Sequence, residues 1–248
     1  MGVAGTTSVG VVTGVSSGER DLKVNDVVLV VSSGLWSDEV VVSRDNVSKL
    51  SSSNPEEAAT LPSFLSAWGI LHNSIALTKG DVIVQSSGNS ATGTAISQIG
   101  KALGFTVVSP TSAELADPKF VSNLKTAHQV VRLAVSDQSG RVALDLSRCL
   151  AENGALVYYN GRIESLANDS GVDVPAANTI YKNTSISGFD LGTWHATDPS
   201  GFQAALSAVQ ALGNEKKIGL KPKVYAVADY KKALTEVENT GSAAVLKF

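Results

Sequence analysis

Gly80-Asp81-Val82-Ile83-Val84-Gln85-Ser86-Ser87-Gly88-Asn89-Ser90-Ala91-Thr92-Gly93 is the stretch that decides the fold. Its first half is a short β-branched run suited to a buried parallel strand. Small residues follow, and then a helix start. The segment therefore reads strand, tight loop, helix, the order that offers backbone N–H groups to a pyrophosphate. The dinucleotide fingerprint G-x-G-x-x-G puts glycines at 88, 90 and 93, and position 90 is Ser. Gly88 permits the tight turn and Gly93 permits close helix–strand packing. Ser90 still allows fairly close approach, and its hydroxyl can donate to a phosphate. One such motif decides little alone, so the surroundings must carry the reading.

The surroundings agree. Ala95, Ile96, Ile99, Ala102 and Leu103 recur at helical spacing, and Gly104 follows as a C-cap. Strands are predicted at 81–85, 105–109, 129–135, 155–159 and 185–189, and helices at 91–103, 141–152 and 200–212. Between the second and third strands, Pro118 interrupts a polar segment whose helix is short or irregular. This alternation predicts an α/β fold, a doubly wound parallel (Rossmann) sheet with helices on both faces. Upstream, residues 8–50 read as all-β, with strands at 8–15, 26–31 and 39–42 and an Asn25-Asp26 turn. Asn54-Pro55-Glu56-Glu57 opens a short helix that Pro62 stops, and another starts at Ser63. A last helix over 229–239 and a strand over 243–247 close the chain.

Composition excludes several classes. With 43% apolar and 17% charged residues among 248, the chain is globular with ample core-forming sequence. A net charge of −3 argues against a nucleic-acid surface, which calls for a basic stripe. No apolar run approaches the ~18 residues of a membrane span. The N-terminus has neither a secretory h-region nor an Arg-rich amphipathic presequence. His72, His128 and His195 are scattered, with no cluster at metal-ligand spacing. Cys149 lies beside Leu146 and Leu150 and reads as a buried packing residue. Asp137 reads as a helix cap, and Trp194-His195 as a surface loop, with the lining of a pocket as the alternative.

Several segments, in collinear order, resemble the medium-chain dehydrogenase/reductase superfamily. Leu22-Lys23-Val24-Asn25-Asp26-Val27-Val28 is similar to its L-K-x-G-D-x-V turn and strand, and Gly34-Leu35-Trp36-Ser37-Asp38-Glu39 to its G-x-W-x-E segment. Glu57-Ala58-Ala59-Thr60-Leu61 and Ser66-Ala67-Trp68 resemble A-A-T-L…T-A-Y. Asn89-Ser90-Ala91-Thr92-Gly93 is similar to the N-S-G-V-G loop of the mitochondrial trans-2-enoyl-thioester (enoyl-CoA/ACP) reductases, with zinc-free quinone oxidoreductases as cousins. Val157-Tyr158-Tyr159-Asn160-Gly161 resembles a T-Y-G-G cofactor turn, and Ser187-Gly188-Phe189-Asp190-Leu191-Gly192-Thr193-Trp194 resembles R-G-F-W-L-x-x-W.

The resemblance implies a GroES-like β-barrel from residues 1–62 and 220–248 and a nucleotide-binding domain from 63–219. It implies NADPH as cofactor and no metal. The cofactor-binding residues would be Gly88, Asn89, Ser90, Ala91, Thr92, Gly93, Ser109, Tyr159, Phe189 and Leu191. Departures accompany it. The family's proton-donating tyrosine has no counterpart here, which leaves an incomplete barrel and no assignable catalytic residue. Ser109-Pro110-Thr111-Ser112 carries neither the acid of an NAD site nor the Arg of an NADP site. The expectation is a degenerate reductase: a non-catalytic subunit of a larger assembly, paired with other subunits or copies of itself through exposed barrel edges. An active NADPH-dependent reductase of enoyl thioesters or quinones, and an NADP(H) sensor without chemistry, stand as alternatives. The resemblance suggests the mitochondrion, with the cytoplasm as the alternative.

Overall fold

The computed structural model describes residues 5–128, 130–159 and 176–248. The chain forms two compact units, one from residues up to Leu65 together with Leu191–Phe248, the other from Ser66–Asp190.

In the first unit, strands β1 (Thr7–Val11), β2 (Val27–Val31) and β3 (Val47–Lys49) form an antiparallel sheet with β2 in the middle. All five residues of β2 are buried, which explains a run without polar alternation. Val28 and Val30 pack with Leu22, Leu35 and Val47. Asn25 makes the preceding turn at φ 75°, a left-handed conformation that asparagine tolerates. The strand expected over 39–42 does not form. Val41 is fully exposed, so the segment has no buried face to hold a pleat.

Helix α1 (Pro55–Ala58) is capped by Asn54, whose side chain accepts from the Glu56 and Glu57 amides. Helix α2 (Leu61–Asn73) then begins before Pro62 instead of after it. A proline in the first helical turn costs no hydrogen bond, because that N–H has no intrahelical acceptor.

The second unit alternates as expected: β4 (Val82–Gln85), α3 (Ala91–Leu103), β5 (Thr106–Val108), α4 (Ser112–Ala116), α5 (Phe120–Ala127), β6 (Val131–Ser136), α6 (Gly140–Cys149), β7 (Ala155–Tyr159), α7 (Ala176–Tyr181) and β8 (Ser185–Phe189). The strands form one parallel sheet in the order β5-β4-β6-β7-β8. Val82 and Val84 face a core containing Leu115, Leu124, Leu146 and Leu156. Gln85 faces the other way and reaches α3, so helices cover both faces. Leu133, Ala134 and Val135 of β6 are wholly buried. Each full Leu or Val burial contributes roughly 1.5–3 kcal/mol, and such strands anchor the sheet. A register shift after Val82 lets β6 enter the sheet with Val131 and Ala134 on the same side. Helix α6 ends three residues before its expected end, and Asn153 turns the chain at φ 57°.

Helices α8 (Leu191–Thr197) and α9 (Pro199–Asn214), strands β9 (Lys223–Ala226) and β10 (Ala244–Lys247), and helix α10 (Tyr230–Thr240) complete the first unit. The division after Asp190 therefore lies ahead of the expected boundary at 219. Gln203 of α9 donates to Ser48 Oγ (2.5 Å) and Gln210 accepts from the Ser51 amide (2.8 Å), tying the helix to the β3 segment. Among the described residues no helix is long and apolar enough to cross a membrane.

Candidate nucleotide-binding site

Sheet order locates the crevice of the second unit. From β4 the chain runs to β5 on one side and returns to β6 on the other, so the loops after β4 and β6 diverge. In open α/β sheets such a divergence is where dinucleotides bind.

The loop after β4 is built by close approach. A Cβ on Gly93 would stand 2.2 Å from the Ser87 carbonyl oxygen, and one on Gly88 would stand 2.4 Å from Ser109 Cβ. Ser90 is the N-cap of α3: its hydroxyl accepts from the Gly93 amide at 3.0 Å, and its carbonyl accepts from the Thr94 amide at 2.8 Å. This hydroxyl is committed to capping. The donors aimed outward are the first-turn amides of Ala91 and Thr92, which no intrahelical carbonyl satisfies. With the positive end of a 13-residue helix, they suit a pyrophosphate.

Under the loop lies Gln85, 1% exposed in an otherwise aliphatic strand. Its Nε2 lies 3.0 Å from the Gly93 carbonyl, 2.9 Å from Ser97 Oγ and 2.8 Å from Ser109 Oγ, while its Oε1 is buried without a partner. The Ser109 hydroxyl thus turns inward, toward Gln85. Ser109, Pro110 and Thr111 carry no charge, and the Glu114 carboxylate closes a capping box with Thr111.

Across the crevice stands Asp137. It caps no helix. Its Oδ1 accepts from the Ser86 and Ser87 hydroxyls at 2.6 Å each, and its amide donates to Ser86 Oγ at 3.1 Å. Gln138 Nε2 adds a bond to Ser87 Oγ at 3.2 Å. Tyr159 is buried at the end of β7, hydrogen-bonded with the Ser90 side chain. Burial first, and then the Asp137 charge, push its phenol up to about 12, so it stays protonated.

Of the residues expected from sequence, Gly88, Ser90, Ala91, Thr92, Gly93, Ser109 and Tyr159 belong to this crevice. Asn89 is exposed at the loop tip. Phe189 pairs with Tyr159 in the β7–β8 ladder, and Leu191 opens α8 as the first residue of the other unit's second segment. Asn160 and Gly161 lie outside the described residues. Sequence reasoning missed Gln85 and the Asp137–serine bridge. A lone Gln ending a Val-Ile-Val strand was the available signal for the first.

Trp194 and His195, expected on a surface loop, are buried in α8. Their rings make edge-to-face contacts with Phe202, at 5.5 and 4.7 Å between centroids. His195 also lines a cavity of about 300 Å³ in the first unit with Thr6, Val31, Ser32 and Asn46. Cys149 is buried, as expected, and burial pushes its thiol up to about 12. Among the described residues no three His, Cys, Asp or Glu side chains could hold a metal ion.

A parallel sheet with a glycine-tight loop and a capped helix at its switch point is the architecture of the dinucleotide-binding fold used by dehydrogenases. Comparison with known proteins narrows the class. The chain is 30% identical over 271 aligned positions, covering 97% of it and 75% of the relative, to the mitochondrial enoyl-[acyl-carrier-protein] reductase of Dictyostelium discoideum. It is 27% identical to the corresponding protein of Xenopus tropicalis, over 77% of this chain and 61% of that one. The solved complex of Etr1p with NADP and crotonyl-CoA superposes with a TM-score of 0.79 at 20% identity, covering 96% of this chain and 78% of that one. No family profile matches the chain. The chain belongs to the enoyl-thioester reductase family of the medium-chain dehydrogenase/reductase superfamily. The α/β fold class and the resemblance drawn from sequence are borne out.

Proposed function

We propose that this protein binds NADPH in the crevice of its second unit and reduces the double bond of 2-enoyl thioesters. The observation that carries the reading is the approach of Gly93 to Ser87, because only a glycine lets α3 start that close to the loop. The fit is good for a pyrophosphate, held by the Ala91 and Thr92 amides. When bound there, NADPH would supply the hydride for reduction of the conjugated double bond, a reduction that also takes up one proton. Relatives named mitochondrial support the mitochondrion as its compartment.

A second reading, a family member that has lost turnover and serves as a subunit of an assembly, draws on residues 109–112. Those four residues include no Lys or Arg to pair the 2′-phosphate that marks NADPH, and the Ser109 hydroxyl is engaged with Gln85. The outer strands β1, β3 and β8 would present free edges to other subunits or a second copy.

One experiment separates the readings. NADPH fluorescence titration measures binding, and NADPH oxidation with crotonyl thioester measures turnover. Binding with turnover is expected. Binding without turnover would establish the second reading, and absence of binding would overturn the first.

A further inference from the structure

The crevice holds a carboxylate in an unusual place. In the common form of the site, the acid stands at the end of the second strand, about 20 residues beyond the loop, and takes the hydroxyls of the adenosine ribose. That position here is Ser109, turned inward to Gln85. The acid stands instead at the end of the third strand, on the opposite side of the loop.

The two oxygens of Asp137 are used unequally. Oδ1 is filled by two short bonds from Ser86 and Ser87, which fix the carboxylate across the crevice. The Asp137 amide, held by Ser86, fixes the backbone as well. Among the described residues no hydrogen bond reaches Oδ2. Asp137 is only partly buried, so this oxygen is open to a ligand. A carboxylate oxygen accepts and cannot donate, so what it recognises carries hydroxyl or N–H donors.

Strand order says which part of a dinucleotide comes here. With the pyrophosphate on the first turn of α3, the adenosine half lies over β5, the side of Ser109. The other nucleoside must run over β6, past Ser136, Asp137 and Gln138. Its nearest donors are the two hydroxyls of the second ribose. We propose that Asp137 binds the nicotinamide-side ribose through its Oδ2, so that recognition of the cofactor's sugar has moved from the adenosine half to the nicotinamide half. This rests on the proposed binding of NADPH and assigns a residue within that site.

The test compares the full chain with Asp137→Ala and Asp137→Asn. One probe is NADPH. The other is 2′-phosphoadenosine 5′-diphosphate, which keeps the adenosine half and its pyrophosphate but lacks the second ribose. Loss of a charge-assisted bond predicts that Asp137→Ala weakens NADPH roughly 10- to 100-fold. The second probe should bind all three proteins alike. Asn keeps an oxygen for both serines, so Asp137→Asn remains informative where Ala fails to fold, and it should weaken NADPH alone. Unchanged NADPH affinity would overturn the proposal. Equal weakening of both probes would overturn it too, by showing that Asp137 acts only through the loop. If the unaltered chain bound neither probe, the nucleotide-binding reading itself would fall and take the ribose assignment with it.

Discussion

Gly93 sits so close to Ser87 that a Cβ on it would stand 2.2 Å from the Ser87 carbonyl oxygen. The obstacle is backbone and not the end of a flexible side chain, so it cannot swing aside. Gly93→Ala should push α3 off the loop, at a cost on the order of 1–3 kcal/mol. Urea unfolding measures the stability loss, and NADPH affinity should fall with it. Unchanged values for both would sink the close-approach account.

Ser90 accepts from the Gly93 amide and also bonds with Tyr159. Ser90→Ala should therefore cost about 1 kcal/mol as a lost N-cap. Ser90→Asp restores a capping oxygen and should recover most of that stability. It should still bind NADPH more weakly, because it adds negative charge where a pyrophosphate belongs.

Tyr158 and Tyr159 should respond oppositely to the same change. The Tyr158 hydroxyl is buried without a partner, and burial pushes it up to about 12. Removing it in Tyr158→Phe leaves nothing unsatisfied and should raise stability by up to about 1 kcal/mol. Tyr159→Phe strands the Ser90 hydroxyl's partner bond and should lower stability by a similar amount. Thermal unfolding of the two variants compares them directly.

Burial lowers the His195 pKa. As pH falls through the unfolded value of about 6.5, the unfolded chain takes up a proton that the folded chain refuses. Stability should therefore decline from about pH 7 toward 5, and less so in His195→Phe. Asp26, lowered mainly by its bond from Lys49, contributes in a lower window. Its contribution is present above its ordinary value near 3.8 and lost as pH falls through the depressed one. Melting temperatures from pH 8 to 3 should show both declines.

Cys149, with its thiol near 12 and 1% exposed, should resist alkylation at pH 8. Iodoacetamide labelling should rise only as urea unfolds the chain. Rapid labelling of the folded protein would contradict the buried position.

Much of the fold was legible because its signals are local. Asn54 and Gly104 act within a few residues of their own helix, and each caps where the sequence places it. The run Val27–Val31 is apolar whatever lies around it. Val40 and Val41 look equally strand-like, yet stay outside any sheet, because a strand needs a partner surface that sequence does not display.

The sequence by itself determined the alternating α/β order, the glycine loop and the family. These depend on periodicity, small residues and capping, which the chain carries at short range. Only the tertiary structure decided what Gln85 and Asp137 do. Gln85 reaches Ser109 across 24 positions, and Asp137 reaches Ser86 and Ser87 across 51 and 50. Which acceptor lies within 3 Å of a buried donor is set by sheet order and register, and neither is written in the residues beside it.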